Sequence, residues 1–521
     1  MARFKIGKGP EISRRTASGL GLFLRNGVKG NPLDYRTPFW DKAPRNEVVD
    51  KWAKVVDANA SLLPDRLSQV EAAQRTKVGP LSPSRPLAER MHQITGYWTA
   101  ALEVAPHSDV LEAASIHAAN ELVNKPPNFI PSGIEIAAKG LPSNTNSGWP
   151  NFTRKSIARA GDIEAALDGS WRELLYAILG RRGQSGGPDK DDIKDRTVFI
   201  CPQSVAIVEN SYFVQALSYL RNSSNHFSAW GTPDDVDRAV AKLFESQNGV
   251  PVLASDFSSY DQTCGRAISI GGIATVKRLY QERFSDELDE LHDVMLTIPL
   301  IISEKLTITG DHGKASGMVF TNLDGTVDHL TFAHYASMRM GVTLNPLSQF
   351  QGDDGLLGFD RPVEPEELFK AYEELGFENN ADKQFVGERD TVFLQRYYTD
   401  ANGYKGIYPT FRALNSLLGQ ERFHDEEVWG PDLVTLRAIM ILENVKNHPL
   451  FSEFVRFVAS GDKYRLGAEW PGGIDELLFS KTSNVIQRAK SLAGFVPSYN
   501  QERRLSSLRE FETYKLIKEG V

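Results

Sequence analysis

Between Phe350 and Phe359 the chain reads FQGDDGLLGF. Two adjacent carboxylates stand between glycines, with apolar residues closing in on both sides. Ionised side chains are costly to bury unless something compensates them. The stretch predicts a short, partly buried hairpin, and the fold around it must neutralise its charge. A Gly-Asp-Asp-Gly string by itself reads most simply as a turn, since Asp and Gly are turn residues. A second string changes the weight: VPVLASDF, Val250 to Phe257, is a short apolar strand ending in Asp256. Adjacent strands of one sheet can bring Asp256 and Asp353 together despite their distance in sequence. Close carboxylates repel unless they share a proton or a cation. Two divalent ions about 4 Å apart, bridged by such aspartates, orient an in-line phosphoryl displacement. Mg²⁺ suits such a site, because it prefers a few carboxylates plus substrate phosphates.

The chain has 521 residues, which predicts roughly two to four subdomains. Hydrophobic residues make up 41% and charged residues 24%, so disorder is not the default reading. VMLTIPLII, Val294 to Ile302, falls far short of the roughly 20 residues a membrane helix needs. The N-terminal stretch is basic but lacks a continuous apolar segment and a cleavage site, and reads as no secretion signal. Cys201 and Cys264 are the two cysteines; alone they build neither a disulfide framework nor a zinc site, which fits a reducing compartment. The net charge of −8 argues against a uniformly basic nucleic-acid surface. It leaves room for an acidic exterior around a basic channel.

Helical spacing is read over 46–73, 87–125, the stretch IEAALDGSWRELLYAILGRR, 234–246, 266–291, 321–340 and 364–377, and over most of the chain beyond 410. RTVFICP reads as a strand; 139–155 reads as a loop and 183–192 as a flexible link.

Seven strings in order resemble the motifs of viral RNA-dependent RNA polymerases. SDFSSYDQT holds Asp256 and Asp261, GKASGMVFTN holds Ser316, Gly317 and Thr321, and QGDDG holds Asp353 and Asp354; these resemble motifs A, B and C. KDRTVFICP, with Lys194 and Arg196, resembles motif F, and TNSGWP, Thr145 to Pro150, resembles motif G. LGFENNADKQF, with Lys383, resembles motif D, and FLQRYY, Phe393 to Tyr398, resembles motif E. Chain length, the RTVFICP…VEN…F pattern and GDDG look most like polymerases of small double-stranded RNA viruses, of picobirnavirus and partitivirus type.

The resemblance implies roles. Asp256 and Asp353 bind two ions, Mg²⁺ or Mn²⁺, with Asp354 supporting the second; the alternative is strand-end or turn caps. Asp261 accepts a hydrogen bond from the ribose 2′-OH, the group that distinguishes RNA from DNA; the alternative is a helix cap. Ser316 and Gly317 form a loop that follows the template, and Thr321 opens the next helix. Where many relatives carry Asn four residues after this Thr, the chain has Gly325; Asn322 and Asp324 are nearby, and Asn322 is favoured as the second ribose contact. Lys194 and Arg196 approach the triphosphate; the alternative is an exposed basic pair. Lys383 donates a proton to pyrophosphate, or is a solvated surface lysine. Ser147, Gly148 and Pro150 touch template RNA, and Arg396 touches backbone phosphate, unless the motif E stretch is core.

The expected fold is α+β, a right-hand polymerase with closed fingertips and an antiparallel palm sheet backed by helices. Residues 1–75 would bridge fingers and thumb; 76–248, with an insertion at about 266–305, would be fingers; 249–410 palm; 411–521 thumb and tail. The implied reaction is transfer of a nucleoside monophosphate from NTP to an RNA 3′-end without a primer. It would transcribe and replicate a segmented double-stranded RNA genome. Implied partners are template RNA, product duplex and NTPs, with capsid protein as a further candidate. No membrane is implied, and the chain is expected as a monomer in a virion interior or host cytoplasm. Rival readings are a reverse transcriptase, a non-catalytic RNA-binding or capsid-associated protein on a decayed polymerase fold, and a metal-dependent phosphodiesterase.

Overall fold

A computed structural model describes residues 4–11, 14–378, 384–421, 429–480, 484–491 and 505–521. Two sheets organise it. The smaller is wholly antiparallel, with strand order Phe385–Gly387, Val252–Asp256, Asp354–Leu357, Gln349–Gln351. Its middle strands are apolar and buried up to the point where each meets a carboxylate. Helix Thr321–Met340 packs beneath and is buried along nearly its whole length, which explains its Leu, Val, Phe and Ala content. The helix has the predicted bounds.

The larger sheet is mixed, in the order Lys5–Gly7, Thr307–Thr309, Leu300–Ile301, Ala177–Gln184, Lys194–Ile200. Its one parallel pair joins Leu300–Ile301 to Ala177–Gln184. Here the structure corrects a sequence expectation. AILGRR is strand, not helix, and 183–192 contains the end of a hairpin that returns along Lys194–Ile200. Ala177 to Gly180 are buried in succession, so no alternation marks the strand. Other predicted helices are shorter than expected. The 46–73 helix breaks before Pro64, the 87–125 helix breaks ahead of His107 (φ +49°), and the 266–291 helix breaks at Tyr280.

The N-terminal segment reaches both ends of the molecule. Lys5–Gly7 adds an edge to the mixed sheet, and Tyr35–Arg36 pairs with Gly419–Gln420. Helix Arg45–Ala58 then docks on the C-terminal helices. Trp52 packs 4.8 Å from the Phe454 ring and donates to Thr410 Oγ1 at 2.8 Å. Buried Glu71 accepts from the Thr410 and Phe411 backbone N–H groups. Residues 39–78 thus share one apolar core with the C-terminal helices, while a second core runs from Leu87 to Phe377. No helix among the described residues is long and apolar enough to cross a membrane.

Candidate active site

Strand register brings the carboxylates together. Asp256 ends its strand directly opposite Asp354, which begins the next. Gln351 faces Asp354 across the hairpin, leaving Gly352 and Asp353 as a two-residue loop. Gly352 has φ +57° and Asp353 does not have positive φ, the glycine-first pattern of a type II′ hairpin turn. The turn is clamped from below: Gly352 N donates to Thr326 Oγ1 at 2.9 Å, and His329 Nδ1 bonds Gly352 O at 2.9 Å. His329 is buried, and burial pushes its pKa down to about 4, so it is neutral here. Gly355 is where the sheet touches that ring; a Cβ there would lie 2.7 Å from His329 Cε1. The spacing G-D-D-G is therefore a fit to the helix beneath, not only to a turn.

Asp353 is half-buried, and its pKa is raised to about 6 by burial first, then by the charges of Asp256 and Asp261. Asp261 is also raised by burial, against the pull of Lys314 and Arg196. It sits in the short helix Tyr260–Thr263, whose N-cap is Ser259 rather than Asp261, so the capping alternative is not what the structure shows. Asp256, Asp261, Asp353 and Asp354 form one acidic centre, and Arg196 lies within electrostatic reach of two of them. All-oxygen carboxylate donors of this kind suit a hard divalent cation, which would relieve their repulsion.

Ser316 and Gly317 lie against the strand that carries Arg196. Ser316 Oγ donates to Thr197 O at 2.9 Å, and Phe199 N donates to Ser316 O at 2.8 Å. Gly317 has φ +122°, and a Cβ there would meet Phe199 O at 2.3 Å. Thr321 opens the buried helix and its hydroxyl donates to Ala315 O at 2.8 Å, closing the loop upon itself. Asn322 is exposed on the same turn, with Oδ1 accepting from Gln351 Nε2 at 3.2 Å and Trp230 Nε1 at 3.3 Å. It therefore adjoins the Gly352–Asp353 loop. Asp324 points elsewhere, into a buried ion pair with Lys314. At Gly325, Tyr260 fills the space: its ring is 3.3 Å from a Cβ built there, and its OH donates to Gly325 O at 2.6 Å. A side chain at this position would press on the tyrosine, which would have to give by a few tenths of an ångström.

Other expectations are placed differently. Arg196 is exposed toward the centre, whereas Lys194, also exposed, pairs with Gln184 farther out along the hairpin. Ser147 and Gly148 are buried; Ser147 Oγ accepts from Thr153 N at 3.2 Å and Ser147 O from Gln203 N at 2.8 Å. They shape a loop rather than present a surface, and of the three only Pro150 is half-exposed. Arg396 is corrected outright: it is buried, donating to Asn444 Oδ1 at 3.1 Å and lying 5.4 Å over the Tyr408 ring. Its guanidinium joins strand Arg396–Thr399 to the C-terminal core instead of facing solvent. Lys383 lies outside the described residues.

Two residues not singled out before complete the site. Glu209, the acidic residue of the VEN string, is buried in helix Gln203–Ser223 and accepts from Val319 N at 3.0 Å and Phe320 N at 3.4 Å. It holds the start of the Thr321 helix, and burial raises its carboxyl to about 7. Lys314 is fully buried beside Asp324 and Asp328, and its backbone N donates to Asp261 O at 2.8 Å. A single charged residue inside the otherwise uncharged SVAIVENSYFV stretch was the available signal for Glu209. Lys314, flanked by glycine and alanine, gave none.

A family profile described as viral RNA-dependent RNA polymerase matches residues 181–415, the span that holds the acidic centre. A potential RNA-dependent RNA polymerase of Human picobirnavirus (strain Human/Thailand/Hy005102/-) is 32% identical over 96% of this chain and 96% of its own length. The chain belongs to the viral RNA-dependent RNA polymerases. A second relative of this polymerase, the RNA-directed RNA polymerase of Cryptosporidium parvum virus 1 (strain KSU-1), is 24% identical over 72% of both chains. Among solved structures, the crystal structure of the RNA-dependent RNA polymerase of a human picobirnavirus superposes with a TM-score of 0.83 at 27% identity, covering 98% of this polymerase. The polymerase is thus an RNA-directed RNA polymerase of double-stranded RNA virus type, with RNA and NTPs as substrates, in a family that works with divalent metal ions.

Proposed function

We propose that the polymerase extends RNA by a two-metal mechanism at Asp256, Asp353 and Asp354, without a primer, to transcribe and replicate a segmented double-stranded RNA genome. The observation that carries the site is the pairing of Asp256 with Asp354 beside a Gly352–Asp353 loop whose carboxyl is lifted to about 6 by burial and then by its acidic neighbours. Bound there, two divalent ions supply activation of the 3′-hydroxyl and neutralisation of the departing pyrophosphate. Asp256 and Asp353 would hold both ions and Asp354 the second. Arg196 offers its planar fork to triphosphate oxygens, with Lys194 farther out. Asp261 takes the ribose 2′-OH, with Ser316, Gly317, Thr321 and Asn322 lining the nucleotide from the other side. Lys383 is proposed as proton donor to pyrophosphate, and Pro150 as the RNA-facing member of its loop.

In the same reading, 76–248 with 266–305 are fingers, 249–410 palm and 411–521 thumb, bridged by 1–75. The two strand pairings of the N-terminal segment support that bridge and the closed fingertips. A monomer acting inside a virion or in host cytoplasm, with capsid protein beside it, completes the proposal.

Labelled NTP incorporation on a single-stranded RNA template with Mg²⁺ and no added primer tests it. Template-length product is expected. Product that appears only when a primer is annealed removes primer independence and leaves the polymerase.

Asp261→Ala is expected to reduce the preference for NTP over dNTP by about tenfold or more, since one buried hydrogen bond to a charged group contributes about 1.5–3 kcal/mol. Unchanged discrimination in competition assays returns Asp261 to a purely electrostatic role. The pH dependence follows from Asp353. Its raised pKa means that protons compete with the cation as pH falls through about 6. The Mg²⁺ concentration for half-maximal activity is therefore expected to rise by up to about tenfold per pH unit below that point. A requirement that stays flat between pH 5 and pH 7 contradicts the assignment.

A further inference from the structure

Far down the buried helix from Thr321, a different cluster lies at the protein surface. His117 and Glu121 stand one turn apart on helix Ser108–Leu122, so both project from the same face. His334, on helix Thr321–Met340, meets them there. One ligand atom from each of His117, Glu121 and His334 lies within 4.8 Å of the others. Glu121 Oε2 is 2.8 Å from His334 Nε2, and the His117 and His334 rings meet edge to face with centroids 4.4 Å apart. The other carboxylate oxygen, Oε1, is 2.9 Å from His226 Nε2, and His226 Nδ1 in turn is 2.8 Å from Ser348 O.

We propose that His117, Glu121 and His334 form a zinc site that staples helix Ser108–Leu122 to helix Thr321–Met340. Two imidazoles and one carboxylate are a donor set that Zn²⁺ uses with three protein ligands, leaving one position for water. Hard Mg²⁺, by contrast, prefers oxygen donors and keeps its water, so the site discriminates against the ion expected at the acidic centre. A carboxylate ligand held by a second hydrogen-bond partner is a usual outer arrangement of metal sites, and His226, anchored on Ser348, occupies that place. His117 and Glu121 are exposed while His334 is buried, so an ion enters from solvent and meets a fixed inner ligand. The site needs nothing from the catalytic carboxylates.

His117→Ala is the informative substitution. The His117 side chain makes no hydrogen bond among the described residues, so its removal leaves both Glu121–histidine contacts in place. Full-length protein is stripped with chelator, then dialysed against Zn²⁺ with millimolar Mg²⁺ to occupy the acidic centre. The wild type is expected to retain one zinc at this site, and His117→Ala to bind it at least about 100-fold more weakly. Zinc should raise the thermal midpoint of the wild type and leave that of His117→Ala unmoved. Co²⁺ in place of Zn²⁺ should give a visible absorption band that the variant lacks. Glu121→Gln, which keeps the shape of the side chain, should lose zinc likewise. Equal retention by wild type and His117→Ala, or no retained zinc in the wild type, overturns the site in favour of a metal-free histidine–carboxylate network.

Discussion

Asp353→Asn is expected to lower nucleotide incorporation by at least about 10³-fold while leaving template affinity within about twofold. Losing a metal-bridging carboxylate removes several kcal/mol of transition-state stabilisation, and about 4 kcal/mol corresponds to that factor. In the proposed reading template binding rests on contacts to the RNA backbone, which one loop residue does not carry. The same change has a second signature. In metal-free protein the Asp353 carboxyl is lifted to about 6 by burial and by Asp256 and Asp261. A folded-state pKa raised above its unfolded value means that ionisation works against folding: stability is greatest below about pH 4 at this group and falls as pH rises through about 6. Asparagine cannot ionise, so the metal-free variant should melt higher than metal-free wild type at pH 8 and match it more closely at pH 5. Mg²⁺ should narrow the difference at pH 8. Activity near wild type, or a variant less stable than wild type at pH 8 without metal, defeats the assignment.

Lys314→Met is expected to lower the thermal midpoint by roughly 5–10 °C, from a loss of about 3–5 kcal/mol. Lys314 is fully buried, with Nζ 2.7 Å from Asp324 Oδ2 and 2.6 Å from Asp328 Oδ2. Asp328 Oδ1 also accepts from the Gly271 and Gly272 N–H groups, each at 2.9 Å. Methionine fills the volume but leaves two carboxylates buried without their cation, the costly way to break such a group. Burial alone would lower the lysine's pKa, but Asp324 and Asp328 outweigh it and hold it above its ordinary value. A lysine raised in this way stabilises the fold at every pH below the ordinary lysine range, but without it Asp328, pushed up by burial, takes up a proton more readily as pH falls, so the loss should be smaller at pH 6 than at pH 8. Adding Asp324→Asn to Lys314→Met should recover part of it. Because the Lys314 charge opposes the burial that raises Asp261, the NTP KM should rise more than kcat falls. A midpoint within one degree of wild type would show the triad to be energetically idle.

What the sequence disclosed, and what it hid, divides along one physical line. Asp256, Asp353 and Asp354 were legible because their apolar flanks and glycines describe local geometry: a strand end and a two-residue loop. Helix Thr321–Met340 was legible for the same reason. Strand Ala177–Gln184 was not, since one of its edges is covered by Leu300–Ile301, over a hundred positions away, and its buried run has no period. Arg396 looked like an RNA contact, but its guanidinium is taken by Asn444 from the C-terminal helices. Lys314 looks like an ordinary charged residue; only tertiary contacts bury it, and no spacing announces that. Gly325 looked like a missing ribose contact, and the reason lies in Tyr260, which fills its place.

The N-terminal segment that spans the molecule also sets a timetable for its synthesis. Lys5 finds its partner at Thr309, a separation of 304 residues, and Thr37 bonds Leu417 across 380. At about 5–20 residues per second, the opening strand waits roughly 15–60 s for its partner to leave the ribosome. During that interval Trp52 and its apolar neighbours have no helices to dock on. The fold is therefore closed late, by the N-terminal segment, whose apolar residues meet their core only once the C-terminal helices exist.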